Sequence, residues 1–313
     1  MKRIIPFLIL AVAFILGCQP KEADPEQRLQ DSLREDSLTL KIGYLPTLDA
    51  LPLLVAEREG YFDTAKVRLR AYEAAMDLDT ALLNNRVQLI TTDLCRSILL
   101  NKQNPDIKVI GKSQNTYHLI TAQKQRIRKI KDMEERIVAI ARNEISDCLL
   151  DKMLEKEGLS PDIVNRPQIN SLQLRKQMMN YEELDAALVP EPYAMQLILA
   201  GDRSVMTNED LDEELGCFTV NKQAYTEFLE QMNVVARAYN KAVAYLQENK
   251  PHLTAYYSLP REVADTLTLP HYDVLSMPRE KDVESSLKWL QSRTLLTKKH
   301  KTDNLLEERF LNR

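Results

Sequence analysis

Residues 39–62 read TLKIGYLPTLDALPLLVAEREGYF, and two patterns packed into this stretch decide the fold class. From 39 to 47, polar and apolar residues alternate and then turn continuously apolar, which suits a first β-strand. From 50 to 59, apolar residues recur at helical spacing, with Pro52 in the first turn, where its missing N–H costs little, and Gly60 closing the end. A strand that leads through a short turn into a helix is the first half of a βαβ unit. The same alternation continues downstream: VRLRAYEA (67–74), VQLITT (87–92), IKVIGK (107–112) and HLITAQ (118–123) read as strands, with helices at 78–84 and 94–100. Short strands alternating with helices predict an α/β protein with mainly parallel sheets.

After the charged stretch KQRIRKIKDMEER (124–136) the alternation restarts as a second unit. Residues 137–141 read as a buried strand. Ser146 is placed to cap a helix whose Leu149, Leu150, Met153 and Leu154 form one apolar face. A strand near 164–169, a helix at 171–179, the strand DAALVP (185–190), a helix at 193–200 and a strand at 203–207 follow. GCFTV (216–220) reads as a strand leading back, and 225–249 as a long amphipathic helix. The remainder is helical, broken by Pro251, Pro260, Pro270 and Pro278. This predicts two α/β lobes joined by two crossovers, lobe 1 comprising 39–124 and 216–313 and lobe 2 comprising 125–215. The basic run 124–131 has Asp132, Glu134 and Glu135 beside it and reads as a solvated crossover rather than a nucleic-acid surface.

The N-terminus, MKRIIPFLILAVAFILGC, sets Lys2 and Arg3 ahead of a short uncharged apolar stretch, the layout of a secretory signal at 1–17. That stretch falls short of the roughly 20 residues a spanning helix needs. Ile15-Leu16-Gly17-Cys18 resembles a bacterial lipobox, and the expectation is lipidation at Cys18 and a place in the cell envelope on an extracytoplasmic membrane face. Residues 18–38 are polar and read as a tether, although Leu29 and Leu33, four apart, allow a short helix from Glu26. Loss of Lys2 and Arg3 takes the formal charge from -4 to -6, which argues against a nucleic-acid partner. Cys95, Cys148 and Cys217 show no metal-ligand spacing and read as small buried side chains, with a disulfide plus one free thiol as the alternative. The four histidines are scattered, so no metal, cofactor or catalytic triad is expected.

The stretch KIGYLPTLDALPLLVAEREGYF, the sequence LITTDLC (89–95) and LVPEPYAMQLILAG (188–201) together resemble the type 2 solute-binding proteins of ABC importers, in the branch with nitrate, taurine, sulfonate and thiamine-precursor binders. The resemblance spans about residues 41–220. It implies a two-lobed periplasmic-binding-protein fold that closes on a small ligand and delivers it, as a monomer, to an ABC permease and its ATPase. Ligands of open parallel sheets lie beyond the C-terminal strand ends, at helix N-termini. That rule gathers Tyr44, Thr47 and Asp49, then Thr92 and Asp93, Ser113 and Gln114, Asn143, Glu144 and Ser146, and Glu191 and Tyr193. Capping alone would account for Asp49, Asp93 and Ser146, and the two tyrosines are placed either to stack on a planar ligand or to edge the core. Glu191, between two prolines, reads as badly placed to cap its own helix and so ranks first. A carboxylate within about 4 Å opposes an anion by about 4 kcal/mol at a surface-like dielectric, more than a helix end supplies. The expected ligand is therefore neutral or cationic, in the manner of a thiamine precursor, unless Arg96, Lys112 or Arg142 turns inward. A sensing or interaction lipoprotein with this fold, or an enzyme of pyrimidine or tetrapyrrole chemistry, is the competing expectation.

Overall fold

The structure, a computed structural model, describes residues 25–311, so the signal segment and Cys18 lie outside the described residues. Of the described residues, 25–39 fall in one unit and 40–311 in a second, the body. Within the first, Pro25–Ser37 is a helix, α1, on which Leu29 and Leu33 are exposed. The tether span thus contains the helix that the spacing of these leucines allowed.

The body opens with β1 (Leu40–Tyr44), a 3-10 turn (Leu48–Ala50), α2 (Leu51–Arg58), β2 (Val67–Ala71), α3 (Ala75–Leu83), β3 (Leu89–Asp93), α4 (Leu94–Gln103) and β4 (Lys108–Lys112). The second sheet then begins with β5 (Tyr117–Thr121), followed by β6 (Val138–Ala139), α5 (Ile145–Lys156), α6 (Leu172–Asn180), β7 (Ala186–Pro190), α7 (Tyr193–Leu199) and β8 (Arg203–Thr207). The chain returns as β9 (Gly216–Val220) and ends in α8 (Lys222–Thr226), α9 (Leu229–Glu248), α10 (Arg261–Thr266) and α11 (Glu280–Ser292).

Strand order is β2-β1-β3-β9-β4 in the first sheet and β6-β7-β5-β8 in the second. β1 pairs parallel with β2 and β3, whereas β9 is antiparallel to both β3 and β4. In the second sheet β6 and β7 are parallel and β5 is antiparallel to β7 and β8. Each sheet is therefore mainly parallel with one reversed strand, and the reversed strand is the one that arrives from the other sheet. Only residues 113–116 separate β4 from β5. So short a link leaves β4 at its C-terminal edge and enters the second sheet at the same kind of edge, which obliges β5 to run backwards; β8 to β9 repeats the move through 208–215. The C-terminal strand edges of both sheets consequently face each other.

This corrects the expected division in one place. By sequence HLITAQ falls in lobe 1, but β5 pairs with β7 and β8 in the second sheet, because a strand is allotted by its hydrogen bonds and not by the charged run that follows it. Two expected strands are also shorter. Residues 137–141 keep only the two-residue β6, and 164–169 contributes single bridges at Asn165 and Gln168, since Pro167 has no N–H to continue a ladder.

The first core packs β1, β3 and β9 against α2 and α9, with Met232, Val235, Tyr239 and Val243 of α9 on the buried face. A second core runs from Leu94, Cys95 and Ile98 of α4 to Cys148 and Leu149 of α5 and on to Trp289 and Leu290 of α11. Trp289 Nε1 donates to Asp151 Oδ2 at 2.7 Å, satisfying a buried indole N–H. Cys95, Cys148 and Cys217 are buried free thiols. No helix among the described residues is long and apolar enough to cross a membrane.

Candidate functional site

Where the facing strand edges meet, the crossovers 113–116 and 208–215 run side by side. Ser113 N donates to Gly216 O at 3.0 Å. This approach needs a glycine, because a Cβ on Gly216 would fall 2.7 Å from Ser113 O. Asn208 ties the two segments together: its Oδ1 accepts from Tyr117 N at 2.7 Å and its Nδ2 donates to Glu213 O at 3.0 Å. Beside this junction lies a cavity of about 190 Å³, lined by residues that include Asp49, Thr92, Ser113, Gln114, Asn115 and Asn208.

Asp49 stands on the 3-10 turn after β1, and that turn is held from below. The phenol of Tyr257 donates to Thr47 O at 2.9 Å and that of Tyr272 to Leu48 O at 2.8 Å. The Asp49 carboxylate accepts from Thr47 Oγ1 at 2.5 Å and from Asn115 Nδ2 at 3.3 Å. Burial, only partly offset by these neutral donors, pushes its pKa up from 3.8 to about 6. Asn115 Nδ2 also donates to Glu191 O at 3.3 Å, and Leu48 N donates to the same carbonyl at 3.2 Å, so the lobes touch across the cleft. With their amide nitrogens directed at Asp49 and, for Gln114, at Asp273 Oδ2 (3.3 Å), the oxygens of Asn115 and Gln114 are left buried without a partner, as is Ser113 Oγ.

Among the described residues no Lys or Arg lines this cavity, although His271 does. Lys112 is held between Glu214 (3.0 Å) and Asp273 (2.7 Å), and Arg96 is paired with Asp79. Arg142 lies instead in a separate, wider groove of about 550 Å³ with Arg166 and Arg293. Arg166 there is already engaged by Asp147 (3.0 Å) and Asp151 (2.5 Å). Both lobes and both crossovers build the smaller cavity, which makes it the candidate site.

Of the twelve residues expected at the site, Asp49, Thr92, Ser113 and Gln114 line the cavity. Thr47 supports Asp49 from within the turn. Asp93 caps α4, its Oδ1 accepting from Arg96 N at 3.0 Å, and burial and then the Glu144 carboxylate raise its pKa to about 7. Glu144 and Ser146 are buried and hydrogen-bonded to each other, and Glu144 meets Arg175 Nη2 at 3.4 Å. Ser146 is not the cap of α5: it lies inside the helix, and its hydroxyl accepts from Ala141 N at 3.0 Å. Asn143 lines the outer grooves. Tyr193 is buried in the second lobe's core, its pKa raised by that burial to about 12, and Tyr44 packs against the first core, so neither edges the cavity.

Glu191, expected to be badly placed for capping its own helix, does cap it. Glu191 Oε2 accepts from Met195 N at 3.0 Å and so caps α7. Pro192 occupies the cap position and offers no side-chain acceptor, so the longer glutamate side chain reaches over it to an N–H that would otherwise be orphaned. Its other oxygen faces His118 Nε2 at 3.4 Å. Glu191 contributes its backbone carbonyl to the junction. Sequence reading missed Asn115 and Asn208, and also His271 at the cavity mouth. Asn115 adjoins Ser113 and Gln114 in the same turn and was within reach; nothing in the sequence connects position 208 or 271 to the site.

The sequence profile described as NMT1/THI5 like matches residues 47–251, most of the chain. The chain belongs to this family. None of the curated proteins matches it. Among solved structures, the ligand-binding component of an ABC-type import system from Staphylococcus aureus, with zinc bound, is similar at TM-score 0.76 and 13% identity over 87% of this chain and 97% of that one. The alkanesulfonate-binding protein SsuA from Xanthomonas axonopodis pv. citri, bound to MOPS, is similar at TM-score 0.72 and 20% identity over 83% and 95%. The periplasmic nitrate-binding protein NrtA from Synechocystis PCC 6803 is similar at TM-score 0.72 and 12% identity, covering 87% of each chain. At these identities the likeness shows the fold alone, that of two-lobed binding proteins. A desulfurization enzyme, DSZB, is also among the matching structures.

Proposed function

We propose that this family member is a solute-binding protein that captures a small nutrient between its lobes and presents it to an ABC permease and its ATPase. The observation that carries the reading is the cavity at the paired crossovers, where both lobes supply groups and buried polar oxygens stand without partners. The lobes of this reading are 40–112 with 216–311, and 117–207, joined at 113–116 and 208–215. Lipid on Cys18 would hold the receptor on the extracytoplasmic membrane face, beside its transporter at high local concentration. The ligand is neutral or cationic, in the manner of an amine-bearing thiamine precursor, because Asp49, Glu209 and Glu214 line the cavity with His271 and, among the described residues, no Lys or Arg does. The protein acts as a monomer and without catalysis. DSZB gives the enzyme reading its support, and turnover of a bound compound by purified protein would favour it. A thermal-shift screen of nutrients against the purified protein tests capture directly. A ligand at 100 times its dissociation constant adds about 2.7 kcal/mol of stability; a full panel of amine, pyrimidine and sulfonate nutrients that leaves the melting temperature unmoved would count against capture.

A further inference from the structure

Cys95 is the second residue of α4, in the first lobe, and Cys148 the fourth residue of α5, in the second. These two helices begin at one carboxylate: Asp93 accepts from Arg96 N of α4 and also from Ile145 N of α5. Starting together, they approach to within 8 Å between Cα atoms and place both cysteines, fully buried, in the core that the lobes share. The two thiols meet there directly. Burial first, and then the hydrogen bond with Cys148, pushes the Cys95 thiol well above its usual range. Cys217 stands apart: its sulfur lies 3.2 Å from Ser97 Oγ and 3.7 Å from Thr219 Oγ1. Ser97, two residues on from Cys95, is on another side of α4. One of the three cysteines is thus taken up by hydroxyls, while the other two face each other across the junction of the lobes. A disulfide joins Cα atoms about 4.4–6.8 Å apart, a span that lies inside the approach of α4 and α5.

Resting on the export reading above, we propose that in the exported protein Cys95 and Cys148 form a disulfide that staples the first lobe to the second and leaves Cys217 as the free thiol. Its formation breaks two S–H bonds and makes one S–S bond. The oxidant is a disulfide-donating oxidoreductase of the extracytoplasmic compartment. One cysteine thiolate attacks the donor's disulfide, the second resolves the mixed disulfide, and the donor leaves as a dithiol carrying the two electrons and two protons. In the folded body neither thiol reaches solvent and the Cys95 thiolate is scarce. Exchange therefore takes place while the chain folds after export, and the finished bond is shielded from reductants. The link closes the segment 95–148, which contains the first crossover, and adds a third covalent connection between lobes otherwise joined by 113–116 and 208–215.

Trypsin places the three cysteines in separate peptides, 87–96, 143–152 and 204–222. The full-length chain, expressed with its own N-terminus and recovered from the envelope of acid-quenched cells, is denatured in iodoacetamide without reductant and then digested. The digest should hold 87–96 joined to 143–152, two hydrogens lighter than the sum of the thiol peptides, and 204–222 alkylated at Cys217. Reductant present through a thermal ramp should lower the wild-type melting temperature by about 4 °C or more and leave that of Cys148→Ala unmoved. That comparison is made within each protein, so the cost of the substitution itself does not enter it. Alkylated Cys95 and Cys148 in the unreduced digest would overturn the inference while leaving ligand capture, which uses neither residue, in place. Either cysteine joined to Cys217, or an equal response of the two proteins to reductant, would overturn it too. Recovery of the chain only from the cytoplasm would overturn the export reading and the inference with it.

Discussion

Asp93 and Glu144 approach each other from opposite lobes, and their mutual repulsion adds to burial in holding the Asp93 carboxyl protonated to about pH 7. An unfolded aspartate releases its proton near 3.8, so between those values the native state binds more protons than the unfolded chain. The stability it contributes is full below about pH 4 and is lost as pH rises towards 7; Asp49 acts in the same direction up to about pH 6. Asp93→Asn keeps the cap on α4, since asparagine caps as well as aspartate. Urea unfolding at pH 4.5 and 7.5 should therefore show a smaller loss of stability on going to the higher pH in this variant than in the wild type. An equal loss in both proteins would rule out the account of Asp93. Arg175 presents the complementary case. It is 1% exposed and donates to Ile169 O at 2.6 Å and Leu188 O at 2.8 Å besides meeting Glu144. Arg175→Met strands two carbonyls and a buried carboxylate and should cost about 3–5 kcal/mol in urea unfolding, the range for breaking a buried pair. A cost under about 1 kcal/mol, the range of an exposed pair, would contradict it.

At the scale of elements, the strands β4, β8 and β9 were legible in the sequence because each is an apolar or alternating run bounded by turn residues. Helix α6 was legible for a different reason: Ser171 caps it, accepting from Leu174 N at 3.2 Å, and polar caps leave a local signature. What the sequence did not disclose is set by pairing. Nothing local says that β5 belongs with β7, that residues 164–169 lack a continuous ladder, or that Glu191 reaches past Pro192 to cap α7. The same division runs through the site. Asp49, Ser113 and Gln114 follow predicted strands, Thr92 ends one, and all four were found by the rule that ligands lie past strand ends. Asn208 and His271 enter only because the second crossover and the C-terminal segment fold back onto the first. The junction of the crossovers yields its own prediction. Gly216→Ala places a methyl group 2.7 Å from the Ser113 carbonyl and 2.8 Å from its hydroxyl. Because one of these neighbours is backbone, the strain should destabilise the protein by about 1–3 kcal/mol. A melting temperature equal to the wild type's would show that the crossovers are not packed as described.

On the scale of the whole molecule, two sheets with opposed C-terminal edges, two short crossovers and a shared core beneath α11 converge on one cavity, and the account stands or falls on whether a ligand occupies it. The cavity can be filled without disturbing the residues that brace it. Thr116 lines it, is only partly buried, and has Glu209 as its side-chain partner at 3.0 Å, so Thr116→Trp adds bulk at the wall while the Asp49 turn and the Asn208 clamp remain. The most direct measurement is the thermal shift produced by a nutrient panel on the wild type and on Thr116→Trp side by side. A small N–H-bearing neutral or cationic compound should raise the wild-type melting temperature, and the variant, itself folded, should lose that response. A compound that stabilises both proteins equally would place binding elsewhere and contradict the assignment of this cavity.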